Sequence, residues 1–312
     1  MRSRIVVFPL ILLTLCPGCK TLAQTRAERI LAELRNPKSS YVLVMAHRAD
    51  WRNQPENSIP AIESAIKMGA DIVEIDVHRT SDGHLVVCHD PTIDRTTSGT
   101  GVIAEMPLDS IRKYCLRAGN NIRKKTLFMP TLEEVLDCCK DRILVNIDRG
   151  FSYYEQILPM VLERGMKDQV LLNGKATPDR LEKIYSRHDE NLIYVPIMNY
   201  DAGNWPVLES HFERFISASE PFFAFEVCWN GSVDGVEQLF TRIKQAGSYL
   251  WINTLWPSMC GGVAAGLDDD CAFDDPAGVY GKVLEYDPDI ILTERPQLII
   301  DYLNSIGRHT LH

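Results

Sequence analysis

The chain has 312 residues, 45% of them hydrophobic, enough for one large domain and a poor fit to two small ones. Its net charge of −9 becomes more negative once Arg2, Arg4 and Lys20 leave with an N-terminal leader. That sign excludes nucleic acid and anionic membrane as general partners, and it admits a small anionic substrate only where local cations or a metal ion reverse the field.

Arg2 and Arg4 precede an apolar run, Ile5 to Cys16, that is too short to span a bilayer. Residues 1–23 therefore read as a signal peptide cleaved before Gln24, with residues 24–312 exported to a periplasm or the exterior. Gly18-Cys19 is a competing lipidation site, and a lipid on Cys19 would be the one link to a membrane. Two of the nine cysteines lie in this leader, so an odd number remains and at least one thiol is free. Export permits a Cys260–Cys271 disulfide. No cysteine spacing has metal-binding logic, although Cys138-Cys139 is a vicinal pair.

A polar helix over 26–35 is followed by short apolar runs alternating with amphipathic stretches. The runs are Val42–Ala46, Ile72–Asp76, Leu85–Cys88, Ile143–Ile147, Val170–Leu172, Leu192–Ile197, Phe222–Val227, Tyr249–Asn253 and Ile290–Leu292. Many are apolar at successive positions, as buried parallel strands are. Asn57 or Ser58 caps a helix with Pro60 in its first turn and Gly69 at its end. Thr131 and Glu134 form a capping box, Thr177-Pro178 opens another helix, and Gly247 closes one that starts at Val233.

Such alternation predicts an α/β (β/α)8 TIM barrel. An open doubly wound sheet is the alternative, and no Gly-rich phosphate loop follows the first strand to support it. Between Asp76 and Leu85 there is only the turn Thr80-Ser81-Asp82-Gly83. The pattern there predicts a hairpin-like return that brings His89 beside Asp76. Residues from about 90 to 130 read as a small lobe inserted after His89-Asp90, and Trp256–Asp275 as one long loop.

Polar residues collect where the strands end. Glu74 and Asp76 are two apart, so they share one side of a strand, and like charges inside a barrel need a cation. Asp148 adds a third carboxylate from another strand. Oxygen-only ligands favour Ca²⁺ or Mg²⁺. His47 and His89 flank the same mouth. Two histidines suit phosphodiester cleavage, one deprotonating the nucleophile and one protonating the leaving oxygen. Arg48 can hold a phosphate oxygen bidentately. Glu226 faces the mouth as a candidate substrate contact. Trp205, Trp229, Trp251 and Trp256 offer either an apolar wall or barrel packing.

These residues stand in blocks that resemble the glycerophosphodiester phosphodiesterase family. The blocks are His47-Arg48, Pro55-Glu56-Asn57-Ser58, Glu74-Ile75-Asp76-Val77, Thr80-Ser81-Asp82-Gly83, His89-Asp90 and Asp94 to Gly101. Later come Pro130 to Glu134, Trp251 to Thr254, and Ile291 to Pro296. The resemblance implies a barrel with an inserted lobe and hydrolysis of small-molecule glycerophosphodiesters to glycerol 3-phosphate and an alcohol, with a divalent cation. It implies His47 and His89 as acid and base, Arg48 on phosphate and Glu74 and Asp76 on metal. Glu56 and Asn57 would support the first strand's histidine, and Asn253 would contribute near the mouth. Two positions depart from the family. Its Glu-x-Lys is Asp148-Arg149-Gly150 here, so Asp148 replaces the glutamate on the metal and Lys175 is the candidate for the missing charge. Glu294 stands where the family has Asp, read as a conservative loop difference. Two other readings stay open: a phospholipase-type barrel acting on a lipid or inositol headgroup, and a catalytically silent envelope binding protein.

Overall fold

Eight parallel strands close into a ring. The computed structural model describes residues 23–36, 39–118, 122–200, 204–217, 222–229, 235–256 and 267–311. Residues 1–22 of the expected leader, with Cys16 and Cys19, lie outside the described residues, as do Cys260 and the start of the helix expected from Val233.

Helix α1 (Arg26–Arg35) comes first, capped by Thr25 and Glu28 in a capping box. Strand β1 (Leu43–Ala46) leads into α2 (Ile59–Met68), whose N-cap is Ser58 and whose C-cap Gly69 is left-handed. Strand β2 (Ile72–Arg79) turns back into β3 (Leu85–Val87), and their antiparallel register sets Val77 opposite Val87. The next residues build a small lobe from α3 (Leu108–Ile111), β4 (Cys115–Arg117) and β5 (Arg123–Phe128). The lobe has its own apolar cluster of Val86, Cys88, Ile93, Ile103, Ile111, Leu116 and Met129.

The barrel resumes with α4 (Leu132–Cys139), opened by the Thr131–Glu134 capping box, and β6 (Leu144–Asp148). Then follow α5 (Tyr154–Glu163), β7 (Val170–Gly174), α6 (Pro178–Tyr185) with Thr177 as cap, β8 (Ile193–Tyr200) and α7 (Trp205–Ile216). Next are β9 (Ala224–Trp229), α8 (Val236–Gln245), β10 (Tyr249–Asn253), α9 (Asp269–Asp274) and α10 (Pro276–Leu284). Strand β11 (Ile290–Thr293) and α11 (Pro296–Ser305) finish the ring. Its order is β1-β2-β6-β7-β8-β9-β10-β11, and β11 pairs back on β1 with Ala46 opposite Thr293. The (β/α)8 barrel predicted from the alternation is the fold observed, and no open sheet is formed.

The stretch read as one loop over 256–275 differs. Within its described part lies α9, because the Asp268 carboxylate accepts from the amides of Asp270 and Cys271 and caps a turn in an acidic run.

Two apolar layers hold the barrel. Outward strand residues pack on the helices, while Leu43, Met45, Ile72, Leu144, Leu171, Trp251 and Leu292 fill the inside. Ala27, Ile30 and Leu34 of α1 join that inner cluster, so α1 plugs the amino-terminal end of the barrel. The opposite end is left for chemistry.

Candidate active site

On each strand the inward positions turn from apolar to polar toward the carboxyl end. Ile72 lies in the inner apolar cluster, and strand alternation puts Glu74 and Asp76 on the same face above it. Strand β6 repeats the pattern with Leu144, Asn146 and Asp148, in register with β2 so that Asp76 lies beside Asp148. One oxygen from each of Glu74, Asp76 and Asp148 falls within 4.8 Å of the others. Burial, then the charges of Asp76 and Asp148, push the Glu74 carboxyl well above its ordinary range. Burial and the Asp76 and Glu226 charges raise Asp148 to about 6, against the neighbouring Arg149. Three oxygen donors that repel one another fit a hard divalent cation, whose charge would relieve that repulsion.

The loop after β1 is bent to serve this cluster. Arg48, Ala49 and Asn57 have φ of 51°, 61° and 55°, a left-handed conformation costly for residues other than glycine. The bend brings the Arg48 amide to donate to Glu74 Oε2 at 2.7 Å. Asn57 clamps Asp76 from both sides: its amide donates to Asp76 Oδ2 at 2.9 Å, and its carbonyl accepts from the Asp76 amide at 3.2 Å. The Arg48 guanidinium lies 3.8 Å from Asp76 and 3.5 Å from Glu56, and its buried Nε has no hydrogen-bond partner in the structure.

His47 continues β1 into the mouth. Glu56 and Asn57 do not support it as expected: Asn57 holds Asp76, and Glu56 accepts a bidentate pair from Arg95. The partner of His47 is Glu294, whose Oε1 accepts from Nδ1 at 2.5 Å. A carboxylate only accepts, so the ring proton sits on Nδ1 and Nε2 is the basic nitrogen of the neutral ring. Glu294 is thus no loop difference. It is 2% exposed and directly follows β11.

Its backbone amide donates at 2.6 Å to Asp269, a buried residue that also accepts from the hydroxyls of Thr254, Tyr280 and Thr293. Sequence reasoning missed both acids, and the block Ile291 to Pro296 was the signal that could have found Glu294.

His89 follows β3, where the Cys88 amide donates to the Asp76 carbonyl at 2.9 Å. Its Nδ1 donates to Asp90 Oδ1 at 2.7 Å, and Arg95 grips the same carboxylate. Arg95 therefore ties Asp90 and Glu56 together, and the pairing holds the Asp90 carboxyl below its usual range.

A cavity of about 440 Å³ opens beside the acids, lined by His47, Glu74, Asp148 and Glu226 and by Arg149, Lys175 and Arg180. Glu226 is buried and accepts at 2.9 Å from the side-chain amides of Asn173 and Asn253. Asn253 is therefore an internal support for Glu226 and not a contact at the mouth, because its carbonyl also accepts from the Trp251 indole at 2.7 Å. A Cβ on Gly150 would lie 2.8 Å from Ile147 and 2.9 Å from Leu172, so this backbone has no room for a lysine there. Trp229 and Trp251 are core residues and Trp205 packs on Tyr200. Trp256 meets Trp51, with the Arg52 guanidinium over both rings.

A family model described as the glycerophosphoryl diester phosphodiesterase family matches residues 47–194, the span that carries His47, Glu74, Asp76, His89 and Asp148. The match takes in just under half of the chain, which over that span is similar to the glycerophosphodiester phosphodiesterase family. A second model, described as a domain of unknown function, matches residues 194–303. The two models meet inside β8, which pairs with strands on both sides, so the second match is the other half of the same barrel. That half supplies Glu226, Asn253, Asp269 and Glu294.

A glycerophosphodiester phosphodiesterase of Caldanaerobacter subterraneus is 41% identical over 141 residues, which is 42% of this chain and 57% of that protein. A glycerophosphoryl diester phosphodiesterase structure from Parabacteroides distasonis superposes over 90% of this chain and 92% of its own, with a TM-score of 0.72 and 18% identity. An Oleispira antarctica phosphodiesterase, solved with the product sn-glycerol-3-phosphate, covers 86% and 100%, with a TM-score of 0.58 and 19% identity. Both share the barrel fold of this chain.

Proposed function

We propose that this protein is an exported, metal-dependent phosphodiesterase that hydrolyses glycerophosphodiesters to glycerol 3-phosphate and an alcohol. The observation that carries the reading is the Glu74–Asp76–Asp148 cluster set beside a histidine that is oriented through Nδ1 by a buried glutamate.

Glu74, Asp76 and Asp148 would hold Mg²⁺ or Ca²⁺. When bound, the cation neutralises charge on the phosphoryl oxygens. Arg48, whose buried Nε makes no hydrogen bond within the chain, faces the phosphate as a charge-assisted donor. His47 and His89 are each fixed through Nδ1 by a carboxylate, Glu294 and Asp90, which leaves each Nε2 to handle a proton. One takes the proton of the attacking hydroxyl, whether water or the neighbouring glycerol hydroxyl. The other returns a proton to the departing alcohol oxygen. Lys175, on the cavity wall, stands in for the lysine that Gly150 excludes.

The test is release of glycerol 3-phosphate from glycerophosphocholine, glycerophosphoethanolamine and glycerophosphoinositol, with chelator, Mg²⁺ and Ca²⁺ in parallel. Release that requires a cation and is lost in His47→Ala and His89→Ala supports the reading. Release that persists in chelator, or no release from any of the three, overturns it.

A further inference from the structure

The loops after β6 and β7 give the cavity a second charge character. Arg149 follows β6, Lys175 follows β7 and Arg180 lies in the first turn of α6, yet all three line the cavity that His47, Glu74 and Asp148 share. Arg149 is engaged by Asp148 at 3.3 Å. Among the described residues, Lys175 and Arg180 have no carboxylate within 4.0 Å. The Arg180 guanidinium is instead held 5.5 Å over the ring of Phe151, itself part of the wall.

The chain has 42 acidic and 33 basic side chains. Arg95, Arg142, Arg164 and Arg214 each meet a carboxylate, whereas Arg180 meets none among the described residues. One lysine answers for the family lysine missing at Gly150. A second unpaired cation in the same concave wall exceeds what a single scissile phosphodiester needs, since that group carries one negative charge and already has Arg48 and the metal cluster. The surplus charge sits on the β6–β7 side of the cavity, where the two loops provide no acid to meet it.

We infer that the alcohol half of the substrate carries its own phosphomonoester, bound by Arg180. A guanidinium matches phosphate oxygens in a two-point fork, and a phosphomonoester near neutral pH carries close to two negative charges, which favours a cation of its own. A cavity of about 440 Å³ lies within the range of sites that hold small molecules of this size. The inference rests on the phosphodiesterase reading and narrows its substrate class.

The experiment compares kcat/KM for glycerophosphoinositol 4-phosphate, glycerophosphoinositol and glycerophosphocholine at low and high salt, in the wild type, Arg180→Gln and Arg180→Lys. The first two substrates differ only by the phosphomonoester. The expected result is at least a tenfold preference for the phosphorylated substrate. High salt should shrink it, Arg180→Gln should abolish it and Arg180→Lys should restore it in part. Arg180 is exposed, and equal thermal melts of the variants verify their folding. Equal turnover of the two inositol substrates, or a preference that survives Arg180→Gln, overturns the inference and leaves the phosphodiesterase reading standing. No turnover of any of the three overturns that reading, and this inference falls with it.

Discussion

His47 and Glu294 are 247 residues apart in sequence and 2.5 Å apart in the barrel, joined by an Nδ1–H donated to a buried carboxylate. The contact exists because β1 and β11 are neighbours: the His47 amide donates to the Thr293 carbonyl at 3.0 Å, which sets the two side chains next to each other. Replacing Glu294 with Gln keeps the size and removes the charge that stabilises a protonated ring. It also lets an amide N–H oppose Nδ1, which favours the wrong tautomer. Glu294→Gln should lower kcat by about 10²–10⁴-fold, the usual worth of a working acid or base, while KM changes little. Steady-state kinetics on glycerophosphocholine decide it. A variant with near-normal kcat would remove Glu294 from the mechanism.

Arg95 should matter although it touches no reacting group. It binds Glu56 and Asp90 at once, and these two in turn contact Arg48 and His89. Arg95→Ala frees both, and a small misplacement of catalytic groups costs about 10²-fold in rate. Millimolar guanidinium should recover part of the lost kcat by re-entering the gap. Arg95→Lys should not, since an ammonium cannot fork to two carboxylates. Full activity in Arg95→Ala would make the bridge a feature of stability alone.

Restoring the family lysine at position 150 should fail. The Cβ would press on Ile147 and Leu172, both wholly or nearly wholly buried, before the amine could reach the cavity. Overpacking of this kind costs about 1–3 kcal/mol. Gly150→Lys should melt several degrees below the wild type with no gain in kcat. An unchanged melt with higher activity would mean that the loop rearranges freely.

Asp269 gives a pH test with a definite sign. Burial raises its carboxyl from 3.8 to about 6 despite the donors around it. The folded state therefore binds this proton more tightly than the unfolded chain does. The stability contributed by the raised group is greatest below its unfolded value and is lost as pH rises through about 6. Asp269→Asn has no such dependence. Its melting temperature relative to wild type should rise between pH 4 and pH 6.5, the other carboxylates cancelling in the difference. A constant difference across that window would contradict the sign.

The barrel was legible because buried parallel strands are apolar on successive residues, and because Ser58, Thr131 and Thr177 cap helices by local hydrogen bonds. The acid cluster was legible for the same reason, since Glu74 and Asp76 are two apart on one strand and Asp148 closes another. Long-range partnership was not. Glu294 looked like a loop substitution because its meaning depends on the closure of β11 against β1. Asp269 looked like a member of an acidic loop because its four donors come from three separate segments. Asn253 was placed at the mouth although it belongs to the interior, where Glu226 and Trp251 use its amide.

The seam between the first and last strands divides the site's parts between the two ends of the chain. His47 and the three acids of the cluster come from β1, β2 and β6, whereas the carboxylate that holds the His47 ring comes from the residue after β11. The geometry of His47 therefore depends on the closure of the ring, and that of the acid cluster does not.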